Sequence, residues 1–405
     1  MTKKTHIRPA DIRGYSRLAV DATLGLTRLV ETMHHNIVRV PGPLGKYTEK
    51  PTRGITGLVY RSIQGTTRLV GGGIDALLGQ LLPLLEREPA ASSAGREAVV
   101  AALNGVLGDH LAASANPLAI PMQLRQNGRP LALTAQDIAA DVSAPSGKIL
   151  LLVHGLCMND LQWRRNGHDH GAALAAAGGY TPLYLHYNSG RHVSTNGRAL
   201  ADMLETLLRA WPVPVEKLVI VGHSMGGLLA RSACHYGRLA GHGWLKHLRQ
   251  LVFLGTPHHG APLERGGNWV NVILELSPYT AALARLAKIR SAGITDLRHG
   301  SILDEDWAHG DRFAHAKSKK GKMALPHGVQ CFAVAATLSG QGGDPGKTPL
   351  PGDGLVPLQS ALGRHKDGSR ELDFPAAQEW VACGMNHLDL LDDARVDEQL
   401  RKWLC

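Results

Sequence analysis

The run Lys217-Leu218-Val219-Ile220-Val221-Gly222-His223-Ser224-Met225-Gly226-Gly227 joins an apolar, β-branched stretch to the pattern Gly-x-Ser-x-Gly, and the helix-prone Leu228-Leu229-Ala230-Arg231 follows. Glycines at 222 and 226 permit a tight strand-to-helix turn that pushes Ser224 into an exposed, strained position. The helix behind it offers backbone N–H groups and a positive dipole to a developing oxyanion. The chemistry implied is attack on a carbonyl by a serine hydroxyl. Such a serine needs a base to take its proton and a carboxylate to orient that base. The chain holds 21 histidines, so abundance selects none of them; position does.

In these residues the chain resembles the α/β-hydrolase superfamily, especially its bacterial lipase and esterase branches, over residues 118–405. His154-Gly155-Leu156, directly after the apolar run Ile149–Val153, looks like the family's oxyanion loop. By that likeness the backbone N–H groups of Leu156 and Met225 form an oxyanion hole. Gly255-Thr256-Pro257-His258-His259-Gly260 is similar to a block of lipases and glycolipid deacylases, with His258 and His259 read as polar supports of the turn. Asn386-His387-Leu388-Asp389 falls where the family carries its catalytic histidine, and Gly352-Asp353-Gly354-Leu355-Val356-Pro357 resembles its acid-bearing block. The resemblance thus implies a triad of Ser224, Asp353 and His387, in the superfamily's chain order. Asp344, in a glycine loop, and Asp389 remain competing acids.

The implied activity is hydrolysis of carboxylic esters with an apolar acyl part, lipids included, with no cofactor and no metal. Two other readings stay open: a glycerolipid or glycolipid deacylase or amidase with the same triad, and a non-catalytic adaptor that binds a membrane or a partner. Cys157, beside the expected oxyanion donor, is read as a small packed residue ahead of a redox group. Some secreted lipases that share the Asn-His-Leu-Asp stretch bind calcium near it, and Asp389 and Asp393 could share a helix face. The minority status of that reading follows from the lack of a second acidic cluster.

The elements that must position these groups follow from periodicity. Leu118–Arg125 and Arg129–Leu133 flank Asn127-Gly128, a hairpin signal because that pair accepts positive φ cheaply. Beyond it, the strand candidates Lys148–Val153, Thr181–His186, Lys217–Val221, Leu248–Leu254, Val329–Ala336 and Gln378–Ala382 alternate with helical stretches. A hairpin followed by that alternation predicts an α/β fold with a mostly parallel sheet and helices on both faces. Residues 261–327 interrupt the alternation and read as a lid or cap insertion, with a largely apolar helix over Asn268–Arg290. The catalytic domain is expected to span 116–405.

Residues 1–115 read as a helical, basic N-terminal extension. Arg13–Val30 recurs as Arg53–Val70 with eight of eighteen positions identical, and each copy is expected to be an amphipathic helix of a hairpin broken at Pro41-Gly42-Pro43. Gly25 and Gly65 would permit close helix contact or ligand approach. Residues 1–70 hold twelve Lys/Arg and four Asp/Glu, so most of the net +10 charge sits there. Such a segment suits an anionic membrane surface or an acidic partner. Two readings stay open: peripheral contact with an anionic membrane through residues 1–70, and packing of the hairpin's apolar stripe on the hydrolase domain or a second subunit. No nucleic acid is expected.

Composition bounds the rest. In 405 residues, 44% hydrophobic and 19% charged side chains exclude a disordered chain, a coiled coil and a collagen-like fibre. Forty-seven glycines against four phenylalanines imply many tight turns and a core of Leu, Val and Ala. No apolar run approaches the ~18–20 residues that cross a bilayer, and no signal-peptide pattern opens the chain. Five scattered cysteines without Cys-x-x-Cys spacing fit free thiols, so a cytoplasmic location is expected.

Overall fold

The computed structural model describes residues 8–39, 61–69, 72, 75, 94–261, 291–308, 323–340 and 352–405. Two compact units result: Met1–Arg96 with Ala113–Ala119, and Glu97–Ala112 with Ile120–Cys405. The sheet-bearing unit therefore takes up Glu97–Ala112, a piece of the expected extension 1–115.

In the N-terminal unit, α1 (Pro9–Arg39) is one 31-residue helix spanning the first repeat copy, and residues 61–69 of the second copy are helical too. The break at Pro41-Gly42-Pro43 lies outside the described residues. A methyl group added at Gly25 or Gly65 meets nothing within 4 Å, so among the described residues neither glycine serves the close contact expected of it. Gly14 does: a Cβ there would lie 2.4 Å from Leu118 Cγ. Two arginines of this basic segment are paired internally. Arg13 donates to both oxygens of Asp75 (2.8 and 3.0 Å), Arg17 binds the same carboxylate, and Arg96 pairs with the buried Asp11. The two guanidiniums hold the Asp75 carboxyl well below the usual range.

The other unit is built on an eight-stranded sheet: β1 (Gln123–Gln126), β2 (Arg129–Pro130), β3 (Lys148–Val153), β4 (Thr181–His186), β5 (Lys217–His223), β6 (Leu248–Leu254), β7 (Gln330–Thr337) and β8 (Glu379–Cys383). Their spatial order is β2-β1-β4-β3-β5-β6-β7-β8. β1 runs antiparallel to β2 and β4, and every other neighbouring pair is parallel. The β1–β2 turn places Asn127 at φ 52° and Gly128 at φ 74°, the left-handed pair expected of Asn-Gly. β2 is shorter than the expected strand, although Leu131 N–H beyond its end still donates to the Leu124 carbonyl (2.9 Å).

Because side chains alternate across a strand, the unbroken apolar runs feed two layers at once. Ile149, Leu151, Val153, Leu218, Ile220, Leu251 and Phe253 join one core with Leu200, Leu204 and Leu207 of α5 (Val193–Ala210). Leu150, Leu152, Val219, Val221, Val252 and Leu254 join the opposite core with Leu174 of α4 (His170–Gly178) and Val396, Leu400 and Leu404 of α9 (Ala394–Leu404). Also described are α2 (Ala94–Ala113), α3 (Ala135–Asp141), α6 (Met225–Leu239), α7 (Ala292–His299) and α8 (Leu358–Ala361). Of the expected lid, Ala261, residues 291–308 and residues 323–327 are described; the apolar helix expected over Asn268–Arg290 lies outside them.

Replacing Leu400, fully buried on α9, with alanine should cost about 2–5 kcal/mol in chemical denaturation. Leu239→Ala, at a site 67% exposed, should change stability by under about 0.5 kcal/mol. Equal losses at both positions would show that α9 does not cover a packed layer.

Candidate active site

Ser224 sits between β5 and α6 at φ 54° and ψ −122°, a left-handed backbone that L-residues avoid. Two contacts fix it there: its N–H donates to the Leu254 carbonyl (2.8 Å), and its carbonyl accepts from Gly227 N–H (3.1 Å). The surrounding glycines are required by backbone proximity. A Cβ on Gly222 would lie 2.6 Å from Gly227 N, and one on Gly226 would lie 2.2 Å from the Val153 carbonyl oxygen. A Cβ on Gly227 would come within 2.0 Å of Thr256 Oγ1, so Thr256 of the Gly-Thr-Pro block packs against the turn itself.

His387 and Asp353 form a buried pair. His387 Nδ1–H donates to Asp353 Oδ2 at 2.7 Å, with the residues 2% and 1% exposed. The other oxygen, Oδ1, accepts from Leu355 N–H (2.9 Å) and Val356 N–H (2.8 Å), so the carboxylate is fully engaged and aimed. This turn explains its glycines: Gly354 has φ 94°, and a Cβ on Gly352 would fall 1.7 Å from the Val356 carbonyl oxygen. With its hydrogen on Nδ1, the His387 ring leaves Nε2 as a lone pair, the tautomer a general base needs.

The loop that carries His387 is held by its neighbours. Asn386 Oδ1 accepts from the N–H groups of Leu388 (2.8 Å) and Asp389 (3.1 Å), and Asp389 Oδ2 accepts from Asn386 N–H (2.8 Å). Asp389 is thereby a loop brace, and Asp353 is the acid beside the ring; Asp344 lies outside the described residues. Asp389 and Asp393 do not share a helix face as expected. Asp389 opens a short 3-10 turn, whereas Asp393 caps α9 and gives both oxygens to Arg395.

Ser224 Oγ makes no hydrogen bond to His387. What joins them is His223, whose ring packs against that of His387 at 4.6 Å between centroids. Its Nε2–H donates to the His387 carbonyl at 3.1 Å. Burial holds the His223 imidazole neutral, its pKa well below the ordinary value, with the neighbouring His387 acting in the same direction. Nothing in the sequence distinguished His223 as a support, since the middle position of Gly-x-Ser admits any residue.

The loop after β3 approaches from the other side: a Cβ on Gly155 would lie 3.0 Å from Ser224 Cβ. Among the described residues, the N–H groups of Leu156 and Met225 donate to no protein acceptor. That loop is fixed by Tyr187, whose hydroxyl donates to the His154 carbonyl (2.9 Å) while its ring stacks on His154 at 4.4 Å, and by Ser189 Oγ, which accepts from Cys157 N–H (3.1 Å). Cys157, at φ 60°, is 2% exposed, and burial raises its thiol to about 12, so it is a packed residue and not a reactive thiolate. His258 faces α6, where its Nδ1 accepts from Arg231 Nη1 (3.3 Å), and His259 Nε2–H donates to the Gly363 carbonyl (2.8 Å).

Comparison with known proteins agrees with this architecture. Residues 144–332, just short of half the chain, match the family model described as a PGAP1-like alpha/beta domain. That stretch holds Leu156, Ser224 and Met225 and ends before Asp353 and His387. With the sheet order and the serine turn, that match gives the chain an α/β-hydrolase fold. Among solved structures it is similar to a Bacillus licheniformis lipase in mature form, at 19% identity over 65% of this chain and 95% of that one, TM-score 0.41. It is also similar to Aspergillus fumigatus lipase B, at 10% identity over 98% of this chain and 85% of that one, TM-score 0.41. A thermophilic esterase from Thermogutta terrifontis shares 14% identity over 70% of this chain and 93% of that one, TM-score 0.38. These remote likenesses carry no argument about chemistry, and no curated protein matches the chain.

Burial of neutral imidazoles makes stability depend on pH. His154 is lowered to about 3, and His223 and His258 well below normal, chiefly by desolvation. Each binds its proton more weakly folded than unfolded, where the pKa is about 6.5. The stability they contribute is therefore full above pH ~6.5 and is lost as pH falls toward the folded pKa, by about 1.4 kcal/mol per pH unit per group. Melting temperature should be level from pH 8 to 7 and fall steeply between pH 6.5 and 5. A level Tm down to pH 5 would mean that these rings titrate normally.

Proposed function

We propose that the chain hydrolyses carboxylic esters through an acyl-enzyme on Ser224. The observation that carries this reading is the buried His387–Asp353 pair, its free Nε2 on the ring that packs against the residue preceding the strained Ser224. Ser224 Oγ attacks the ester carbonyl while His387 Nε2 takes the hydroxyl proton. The carbonyl oxygen becomes an oxyanion that accepts from the N–H groups of Leu156 and Met225. Collapse expels the alcohol, which receives the proton from His387. Water then attacks the acyl-enzyme by the same base catalysis, releasing the acid and restoring the serine. Asp353 keeps the ring in its tautomer and stabilises the imidazolium formed in each half. The missing Ser224–His387 hydrogen bond is compatible with this cycle, since such bonds commonly tighten only with substrate bound.

Ser224→Ala should abolish labelling by a fluorophosphonate probe and lower turnover of nitrophenyl esters by about a millionfold, with the melting temperature kept. Asp353→Asn should cost about ten-thousandfold through the wrong tautomer. Retention of most activity in Ser224→Ala would overturn the assignment, and unlabelled wild-type protein without esterase activity would favour the adaptor.

A lipid substrate is the reading favoured by the N-terminal unit. Ile12, Ile63 and Leu69 are 53%, 44% and 79% exposed in a segment whose charge is strongly basic. Such a surface suits an anionic bilayer, where each nearby Lys or Arg contributes about 1 kcal/mol. The protein should float with anionic but not neutral liposomes at low salt, and Ile12→Asp with Leu69→Asp should weaken this. Failure to float at low salt would remove membrane docking and leave the esterase reading standing.

A further inference from the structure

We propose that His168, His170 and Asp397 form a binding site for a divalent transition metal of the zinc type, separate from Ser224, Asp353 and His387. The three contribute His168 Nε2, His170 Nδ1 and Asp397 Oδ1, which converge at one spot. His168 Nε2 and His170 Nδ1 are 2.9 Å apart, and each lies 3.8 Å from Asp397 Oδ1. The point in their plane equidistant from the three atoms stands about 2.1 Å from each, the length of zinc–nitrogen and zinc–carboxylate bonds. A tetrahedral ion would sit there once the partly exposed His168 ring opens its 2.9 Å contact with His170 slightly.

The lone pairs point the right way. His170 Nε2–H donates to the Leu390 carbonyl (3.1 Å), so the ring, fully buried, carries its hydrogen there and presents Nδ1 bare. A histidine that gives its other N–H to a backbone carbonyl is the usual arrangement of a metal ligand. Asp397 is 9% exposed; its Oδ2 accepts from Arg401 (2.7 Å), but the buried Oδ1 has no hydrogen-bond partner. At 3.8 Å both imidazole nitrogens are too far to satisfy it. A buried carboxylate oxygen left bare is costly, and a cation between the three atoms removes that cost. Without metal, His168 Nε2–H donates to His170 Nδ1; with metal, His168 carries its hydrogen on Nδ1 instead, and all three ligands are unprotonated with no net proton change.

The site is also preorganised. Asn166 (φ 47°) and Gly167 (φ 82°) form a tight turn closed by reciprocal hydrogen bonds between Arg165 and His168, which aims the His168 ring. Asp169, between the two histidines, caps α4 by accepting from Gly171 N–H (2.8 Å) and Ala172 N–H (3.2 Å), and is itself held by the Tyr184 hydroxyl (2.7 Å). Asp397 stands on α9, whose apolar side is packed under the sheet. His168 has a side chain 26% exposed, which leaves a face for entry and for a water as fourth ligand. A bound ion would tie the start of α4 to α9 and brace Leu390, three residues beyond His387.

The test uses full-length, tag-free protein stripped with chelator, titrated with zinc by calorimetry and with cobalt by visible absorption, which reports tetrahedral coordination. One equivalent should bind, and the melting temperature should rise with zinc as mass action requires. Changing a mere outer partner of a metal site costs 10–100-fold in affinity, so losing a ligand in His168→Ala or Asp397→Asn should cost at least about 100-fold. Both variants should match the metal-free wild type in melting temperature within a few degrees; if His168→Ala does not fold, the isosteric Asp397→Asn carries the test. Wild-type protein that binds no zinc, or variants that bind it as tightly through other histidines, would overturn the site. Neither result touches the esterase assay.

Discussion

A serine at φ 54° is the constraint on which the rest of the sheet-bearing unit depends. A residue in that region costs about 1–3 kcal/mol and persists only where the surroundings over-determine it. Here they do so through backbone contacts together with the Thr256 side chain packed against the turn. Gly222, Gly226 and Gly227 let β5, β3 and the Thr256 loop approach the turn more closely than any Cβ would allow, and the Leu254 carbonyl clamps Ser224 N–H from the neighbouring strand. The strain is held by a parallel sheet whose strands are apolar on both faces, so the turn cannot relax without moving two cores.

The same economy of space governs the loop on the other side of the serine. Cys157 takes a left-handed backbone at φ 60°, and its sulfur fills the position where a Cβ on Gly105 would stand, at 2.2 Å. Gly108 likewise makes room for Asn188, whose Nδ2–H donates to the Gly108 carbonyl at 2.8 Å. Residues 97–112 of α2 thus close over the loop that carries Leu156, which is why they group with the sheet. An ion-pair cluster lies at the margin of this region: Arg125 of β1 bridges Glu97 and Asp160 at 3.1 Å each, with His186 3.1 Å from Asp160. Breaking one member of such a buried group leaves an uncompensated charge, so the cluster fixes geometry more than it adds stability.

How much of this was legible in the chain depends on the range of the signal. Lys148–Val153, Thr181–His186 and Leu248–Leu254 form strands with the expected ends, because an apolar run between polar breaks is a local property. Asn127-Gly128 turned as its φ preference requires, and the turn at Ser224 followed from strand, glycine and helix in sequence. The structure sets Asp353 beside His387, the two residues that the resemblance of their blocks to α/β-hydrolases implied. His223 was invisible as a support, since one histidine among 21 announces nothing until its ring is seen against another. The cluster of His168, His170 and Asp397 was equally hidden: Asp397 lies more than two hundred residues beyond the two histidines, and only the packing of α4 beside α9 unites them. Gly25 and Gly65 erred the other way, since a repeated glycine suggests contact whether or not a neighbour arrives.

Histidine is used in this fold chiefly as a neutral polar spacer. His154 donates from Nδ1 to the Gly155 carbonyl (2.8 Å), His223 bonds the His387 carbonyl, and His259 bonds the Gly363 carbonyl. Each ties down a loop with one N–H, and in the fully buried His154 and His223 the second nitrogen remains a lone pair in a dry interior. A lysine or arginine could not do this without carrying a charge into that interior, and an asparagine is too short to span the same gap. The cost is that protonation of any such ring puts an unpaired charge beside the serine loops. The buried His387 differs from these spacers in one respect: Asp353 stands against its Nδ1, so the charge it would gain in a reaction has a partner already in place. On the proposed mechanism, a ring that would cycle through the imidazolium form is thus separated from rings held neutral by burial, by the position of a single carboxylate.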